Sequence, residues 1–213
     1  ICDISSYESP DVTFDLNYKI NKSYIDKYDL IIDFGTLEHI FDVPQALENY
    51  VKMTKKNGYI LIGSPCSNMI DHSFYMFSPT LFYDYFQKNG FKIFKCFLKT
   101  RSPYYPYQRT RFYEYLSQGT EIPILPNKCT EVIIIAKKIK NQKKISKPNQ
   151  YIYTSNPNWE QKKINKINVK TDVNVSNFKE FIKKMIISKF TPFFIQKIFF
   201  SIYRGKNIKK LYL

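Results

Sequence analysis

Residues 1–139 alternate between two hydrophobic rhythms. Tyr28–Phe34 is an almost unbroken apolar run, the pattern of a strand covered on both faces. Leu47, Tyr50 and Val51 then recur at helical spacing, with Asp42 placed to cap that helix and Pro44 in its first turn. Asn57-Gly58 supplies its left-handed stop. Tyr59–Gly63 reads as the next strand, closed by Ser64-Pro65. Ser78-Pro79 opens a second helix, with Leu81, Phe82, Tyr85 and Phe86 inward and Asn89-Gly90 at its end. Phe91–Leu98 and Glu131–Ala136 read as two further strands, and Val12–Phe14 as a short earlier one. This alternation predicts an α/β fold, a Rossmann-like and mostly parallel open sheet with helices on both faces. The Tyr/Pro-rich stretch 102–127 is too long for a tight hairpin and reads as a candidate lid.

Beyond residue 139 the rhythm changes. Residues 140–170 are Lys/Asn-rich and read as a linker. Phe178, Phe181, Ile182, Met185, Ile186 and Phe190 then fall on one side of a helix, opposite Lys179, Lys183, Lys184 and Lys189. Thr191-Pro192 starts a second apolar helix that runs to about Tyr203. The expected division is therefore a domain over 1–139 and a basic, partly helical tail over 140–213. The tail helices pack on the domain or a second subunit, or else residues 178–203 lie on the inner face of a membrane with lysines near anionic headgroups.

The charge sharpens that division. The 213-residue chain is formally +15, yet residues 1–99 hold 10 Lys/Arg against 12 Asp/Glu, and residues 137–213 hold 19 against 3. Only four of the 33 basic residues are arginine, so planar bidentate phosphate recognition is not the composition's bias, and nucleic acid is not the expected partner. No run of 18 uncharged apolar residues exists to span a bilayer, and the 44% hydrophobic content excludes wholesale disorder. Cys2, Cys66, Cys96 and Cys129 form no C-x-x-C pair, so buried, reduced thiols of a cytoplasmic protein are expected.

Ligands of open parallel sheets bind beyond the carboxyl ends of the strands. The residues in those places are Asp3, Asp15, the Phe34-Gly35-Thr36-Leu37-Glu38-His39 turn and the Ser64–Phe77 loop. Tyr-Asp-Leu-Ile-Ile-Asp-Phe-Gly-Thr-Leu-Glu-His-Ile-Phe-Asp (28–42), a helix, and then Lys-Asn-Gly-Tyr-Ile-Leu-Ile-Gly-Ser-Pro (56–65) resemble the centre of class I S-adenosylmethionine-dependent methyltransferases. Asp15-Leu16-Asn17 and His72-Ser73-Phe74-Tyr75-Met76-Phe77-Ser78-Pro79 bring the likeness closer to one bacterial subgroup. The likeness implies S-adenosylmethionine as cofactor. Asp3 would hold the ribose diol and Asp15 the adenine amino group, with the Leu16 N–H beside it. Phe34 and Gly35 would line the floor under the sulfonium. His39 and His72, the only histidines, are candidate bases with a reference pKa of about 6.5, and Glu38 stands beside them. Against those roles stand plainer ones: a His39 ring packed under its loop, His72 as a polar loop residue, and Glu38 tying down its own turn.

Two departures from the family bear on this. The six glycines form no Gly-x-Gly, so the loop that wraps the methionine end of the cofactor is absent. Ile1-Cys2-Asp3 would end the family's second strand, which implies a fragment, by itself inactive. Metal-dependent members carry Glu three residues before the Glu-His pair where this chain has Gly35, so no metal is expected. Cys66 lacks the surroundings of a nucleophile that attacks a base. The expected reaction is O-methylation of a small molecule or a glycan hydroxyl. The alternatives are a non-catalytic module whose tail binds a membrane or partner, and an RNA methyltransferase anchored by its lysines.

Overall fold

The computed structural model describes residues 1–154 except 8, 103–109, 116–127 and 143. The chain divides into two units, Ile1–Thr171 and Asp172–Leu213, and every described residue lies in the first. The helices expected within 178–203 and most of the expected lid fall outside the described residues.

Two short strands, β1 (Cys2–Asp3) and β2 (Val12–Thr13), pair in parallel as a small sheet of their own. The main sheet contains β3 (Tyr28–Phe34), β4 (Thr54–Ser67), β5 (Phe91–Arg101), β6 (Arg111–Glu114) and β7 (Cys129–Lys138). Their spatial order is β3-β4-β7-β5-β6. Helix α1 (Val43–Met53) links β3 to β4, and α2 (Pro79–Lys88) links β4 to β5. A short α3 (Tyr151–Thr154) closes the described chain.

Strands β3, β4 and β5 share one direction, while β7 lies antiparallel between β4 and β5 and β6 runs back along the edge of β5. The apolar run Val132–Ala136 suits a buried strand of either direction. Its direction follows from where the chain re-enters: Cys129 pairs opposite Arg101, at the end where β5 leaves the sheet.

Among the described residues α1 and α2 cover the same face of the main sheet, where helices on both faces were expected. Ile60 and Ile62 of β4 and Val132, Ile134 and Ala136 of β7 form one cluster with Leu47, Tyr50 and Val51 of α1 and Phe82 and Phe86 of α2. Two crossovers of the same hand that step the same way across a sheet land their helices on the same side. The alternate residues Leu61, Ile133 and Ile135 point to the other face and are equally buried.

The helix ends mostly follow the sequence. Asp42 Oδ1 accepts from Gln45 N at 3.0 Å, and Ser78 Oγ accepts from Thr80 N at 3.3 Å. Gly90 ends α2 at φ +84°. Helix α1 differs, stopping at Met53 rather than at Asn57-Gly58. There Thr54 Oγ1 returns a bond to Tyr50 O at 2.7 Å, and the chain extends at once into β4. Asn57 keeps a left-handed φ of +68°, but inside an irregularity of β4 against β3. At Gly58 a Cβ would come within 2.9 Å of Asp29 O and Lys55 O, so the strand can approach β3 only without one.

Part of the expected linker lies on the domain. Asn89 brackets Ser146, donating Nδ2 to its carbonyl at 3.0 Å and accepting its N–H at 2.8 Å, while Ile145 packs against the core. All four thiols are free; Cys96 is buried as expected, but Cys2 is exposed. Among the described residues no helix is long and apolar enough to cross a membrane.

Candidate functional site

The turn after β3 is fixed from below by a buried carboxylate. Asp33 Oδ1 accepts the N–H of Thr36 at 2.9 Å, and Oδ2 accepts the N–H of Leu37 at 3.1 Å and the Tyr50 hydroxyl at 2.8 Å. Burial pushes the Asp33 carboxyl above the usual aspartate range; the Tyr50, Thr36 and Leu37 hydrogen bonds oppose that rise, and nearby Glu38 adds to it. A raised acid pKa means that the folded state binds more protons than the unfolded chain between the two pKa values. Wild-type stability relative to Asp33→Asn should therefore fall as pH rises from the ordinary aspartate range through the raised value, and level off above it. Urea titrations of both proteins across that window would read the slope; parallel curves would show that Asp33 is not the group concerned.

Held this way, the turn presents Glu38 and His39. Glu38 is 1% exposed, and its carboxylate reaches across to β4, where Oε2 accepts the Ser64 hydroxyl at 2.8 Å. Its Oε1 lies 3.8 Å from Nε2 of His72. The main chain closes the same gap, because Tyr75 N donates to Glu38 O at 3.3 Å. The His39 and His72 rings are exposed and tilted against each other with centroids 5.4 Å apart. His72 sits on a loop anchored by Phe77 N to Pro65 O at 2.7 Å and Asn68 Nδ2 to Lys128 O at 2.8 Å. Three side chains expected singly thus form one group. Their ligand-type atoms lie within 4.8 Å of one another, so although no metal was expected from Gly35, they come within reach of one divalent ion.

Asp3 ends β1 and Asp15 follows β2, so both stand past the carboxyl ends of adjacent parallel strands. Asp3 Oδ1 accepts from Ser5 N at 2.8 Å and from its hydroxyl, and Asp15 Oδ1 accepts from Asn17 N at 2.9 Å and Nδ2 at 2.8 Å. Neither carboxylate enters an ion pair among the described residues, and each keeps its Oδ2 without a bond there. Asn17 Oδ1 accepts the N–H of Asp42 at 2.8 Å, which ties the Asp15 loop to the start of α1, three residues beyond His39. Leu16 packs against the edge of the core.

Phe34 and Gly35 complete the rim. The Phe34 ring lies over Gly63 of β4, where a Cβ would overlap ring carbons Cδ1 and Cε1, and it remains 44% exposed. Gly35 has φ +96°, a conformation that side-chain-bearing residues rarely adopt. Phe41, Ile70, Phe74 and Met76 are also exposed beside the histidines, and Phe41 meets Phe74 edge-on at 6.1 Å. Burial pushes the Cys66 thiol up to about 11, which keeps it a poor nucleophile near neutrality.

Sequence reasoning gave Asp33, Tyr50, Ser64, Asn17 and Asn49 no part in the site, yet they hold this arrangement. The signal for two of them was present: Asp33 is an acid within a nearly continuous apolar strand, and Asn49 is an amide on the inner stripe of a helix.

No protein-family model matches the chain, and no curated protein sequence matches it significantly. Two solved structures show a limited likeness. A Thermotoga maritima protein assigned as a SAM-dependent methyltransferase is 19% identical with a TM-score of 0.38, over 54% of this chain and 57% of its own. A Bacillus halodurans protein assigned as a methyltransferase is 11% identical with a TM-score of 0.34, over 61% and 71%. The matched part thus spans little more than half of the first protein's length, and at these TM-scores the likeness is too slight to carry an activity.

Proposed function

We propose that this chain carries part of the site of an enzyme that transfers a methyl group from S-adenosylmethionine to a hydroxyl of a small molecule or glycan. The observations that support the reading are two carboxylates outside ion pairs among the described residues, Asp3 and Asp15 at the ends of the paired strands β1 and β2, an Asp15 loop tied to the start of α1, and a buried carboxylate, Glu38, facing the exposed imidazole of His72. The first pair suits the two hydroxyls of a ribose and the amino group of an adenine. The second suits a base held in one orientation.

S-adenosylmethionine supplies a methyl group on a positively charged sulfur, whose departure leaves a neutral thioether. Asp3 and Asp15 would hold its nucleoside end, with Phe34 and Gly35 beneath the sulfur. Glu38 faces Nε2 of His72, which favours the proton there and leaves Nδ1 as the basic atom. When bound, the cofactor would supply its methyl group to the acceptor oxygen, the C–O bond replacing the S–C bond whose electron pair would stay on sulfur. The acceptor's proton passes to Nδ1. Glu38 stabilises the imidazolium, and Ser64 keeps the carboxylate aimed.

A neutral acceptor also suits the local charge better than RNA does. No Lys or Arg occurs from Tyr28 to Val51 or from Asn57 to Gln87, the stretches that build the histidine side. Lys99 and Arg101, on β5, are engaged with Glu131.

Calorimetric titration of the full-length protein with S-adenosylhomocysteine tests the cofactor half. Micromolar binding is expected, weakened about tenfold or more in Asp15→Ala, the scale of one lost charge-assisted hydrogen bond. Absence of binding by the wild type would overturn the reading. Labelled methyl groups appearing in RNA rather than in phenols or sugars would replace its acceptor.

A further inference from the structure

We infer that Asn49, on α1, is a positioning residue for the cofactor: it fixes the loop that carries Asp15 and Leu16 at a set distance from Glu38 and His39. The inference rests on the methyl-transfer reading above. Among the described residues β1 and β2 share no strand pairing with the main sheet, so no backbone ladder there sets the spacing between the two halves of the site. Side chains set it.

Asn49 is fully buried, and its amide is completely used. Nδ2 donates to Leu16 O at 3.2 Å and Tyr18 O at 2.8 Å, while Oδ1 accepts from Ile20 N at 3.3 Å and Gln45 Nε2 at 2.9 Å. Three of the four partners are main-chain groups of the Asp15–Ile20 loop, which has no regular structure to satisfy them. An amide can donate twice and accept twice from one point; a carboxylate of the same shape cannot donate, and leucine can do neither. The second tie, from Asp42 N to Asn17 Oδ1, reaches the same loop from the start of the same helix. Helix α1 follows the Glu38–His39 turn, so a loop bolted to it moves with that turn.

The aspartate variant makes the claim testable. In Asn49→Asp a carboxylate oxygen would face the Leu16 and Tyr18 carbonyls. At about pH 8 the Kd for S-adenosylhomocysteine should rise about tenfold or more, the scale of buried polar groups left unsatisfied. At about pH 5 the acid can protonate and donate one hydrogen bond again, so the ratio to wild type should shrink. Asn49→Leu should show the loss at both pH values. Amide hydrogen exchange of residues 15–20, measured without ligand, should speed up in Asn49→Asp at high pH and slow again at low pH.

Failure of the wild type to bind S-adenosylhomocysteine would remove the underlying reading. Wild-type binding with an unchanged Asn49→Asp affinity would overturn the inference alone. A pH-independent loss that tracks a lower melting temperature, with no local change in exchange, would also overturn it.

Discussion

Substituting His72 by alanine is expected to slow methyl transfer about 10²- to 10⁴-fold, the range that a positioned general base contributes. Binding of S-adenosylhomocysteine should stay within about twofold, because His72 lies on the Ser67–Phe77 loop and takes no part in holding the Asp15 loop. Glu38→Gln should reproduce part of this loss. The amide keeps the shape beside Nε2 and can still accept from Ser64, but it no longer stabilises the imidazolium. His39→Ala should cost less, since the His39 ring leans on His72 at 5.4 Å, whereas among the described residues the Glu38 carboxylate is paired with His72 and not with His39. Single-turnover rates at saturating cofactor would separate the three. Full activity in His72→Ala would exclude it as the base and return attention to a metal ion held by Glu38 and His39, or to an acceptor that needs no base.

The second large effect concerns stability and lies away from the site. Lys138 ends β7 with its side chain 4% exposed. Its Nζ donates to Thr54 O at 2.6 Å and Val51 O at 2.9 Å, and pairs with Asp26 Oδ1 at 3.0 Å. One cation therefore closes the carboxyl end of α1, where the helix dipole favours positive charge, and joins it to the starts of β3 and β4. Lys138→Met keeps the apolar stem and strips the three bonds, leaving buried carbonyls unpaired. A loss of about 2–3 kcal/mol in unfolding free energy is expected. Asp26→Ala should cost less than about 1 kcal/mol, because that carboxylate is nearly half exposed and water replaces its partner. Urea midpoints measure both. Equal losses would move the weight from the carbonyls to the ion pair.

Much of the domain is local and is written in local patterns. The apolar run at 28–34, the Asp42 and Ser78 caps and the glycine after α2 depend on neighbours within a turn, and each element stands where its pattern put it. Where α1 ends is less local. Asn57 takes the left-handed conformation that the sequence suggests, but pairing between Tyr28 and Thr54 draws the chain into β4 three residues earlier. The candidate residues were likewise legible as those that follow strands. Why Glu38 matters was not: its partners Ser64, on β4, and His72, on the loop after it, lie 26 and 34 residues away.

By itself the sequence determined α1, α2 and most strands of the main sheet, though not β6 inside the stretch read as a lid, together with the acidic balance of the first ninety-nine residues and the chemistry on offer after each strand. Tertiary structure alone decided that β7 enters the sheet backwards, that α1 and α2 share a face, that Asn49 holds a loop remote from its own segment, and that the Tyr50 hydroxyl of α1 meets Asp33. Hydrophobic periodicity records which side of an element is buried, which is a property of the element. Strand direction, helix side and the partner of a buried polar group depend on which distant segment arrives to be buried against it, and that is a property of the whole chain.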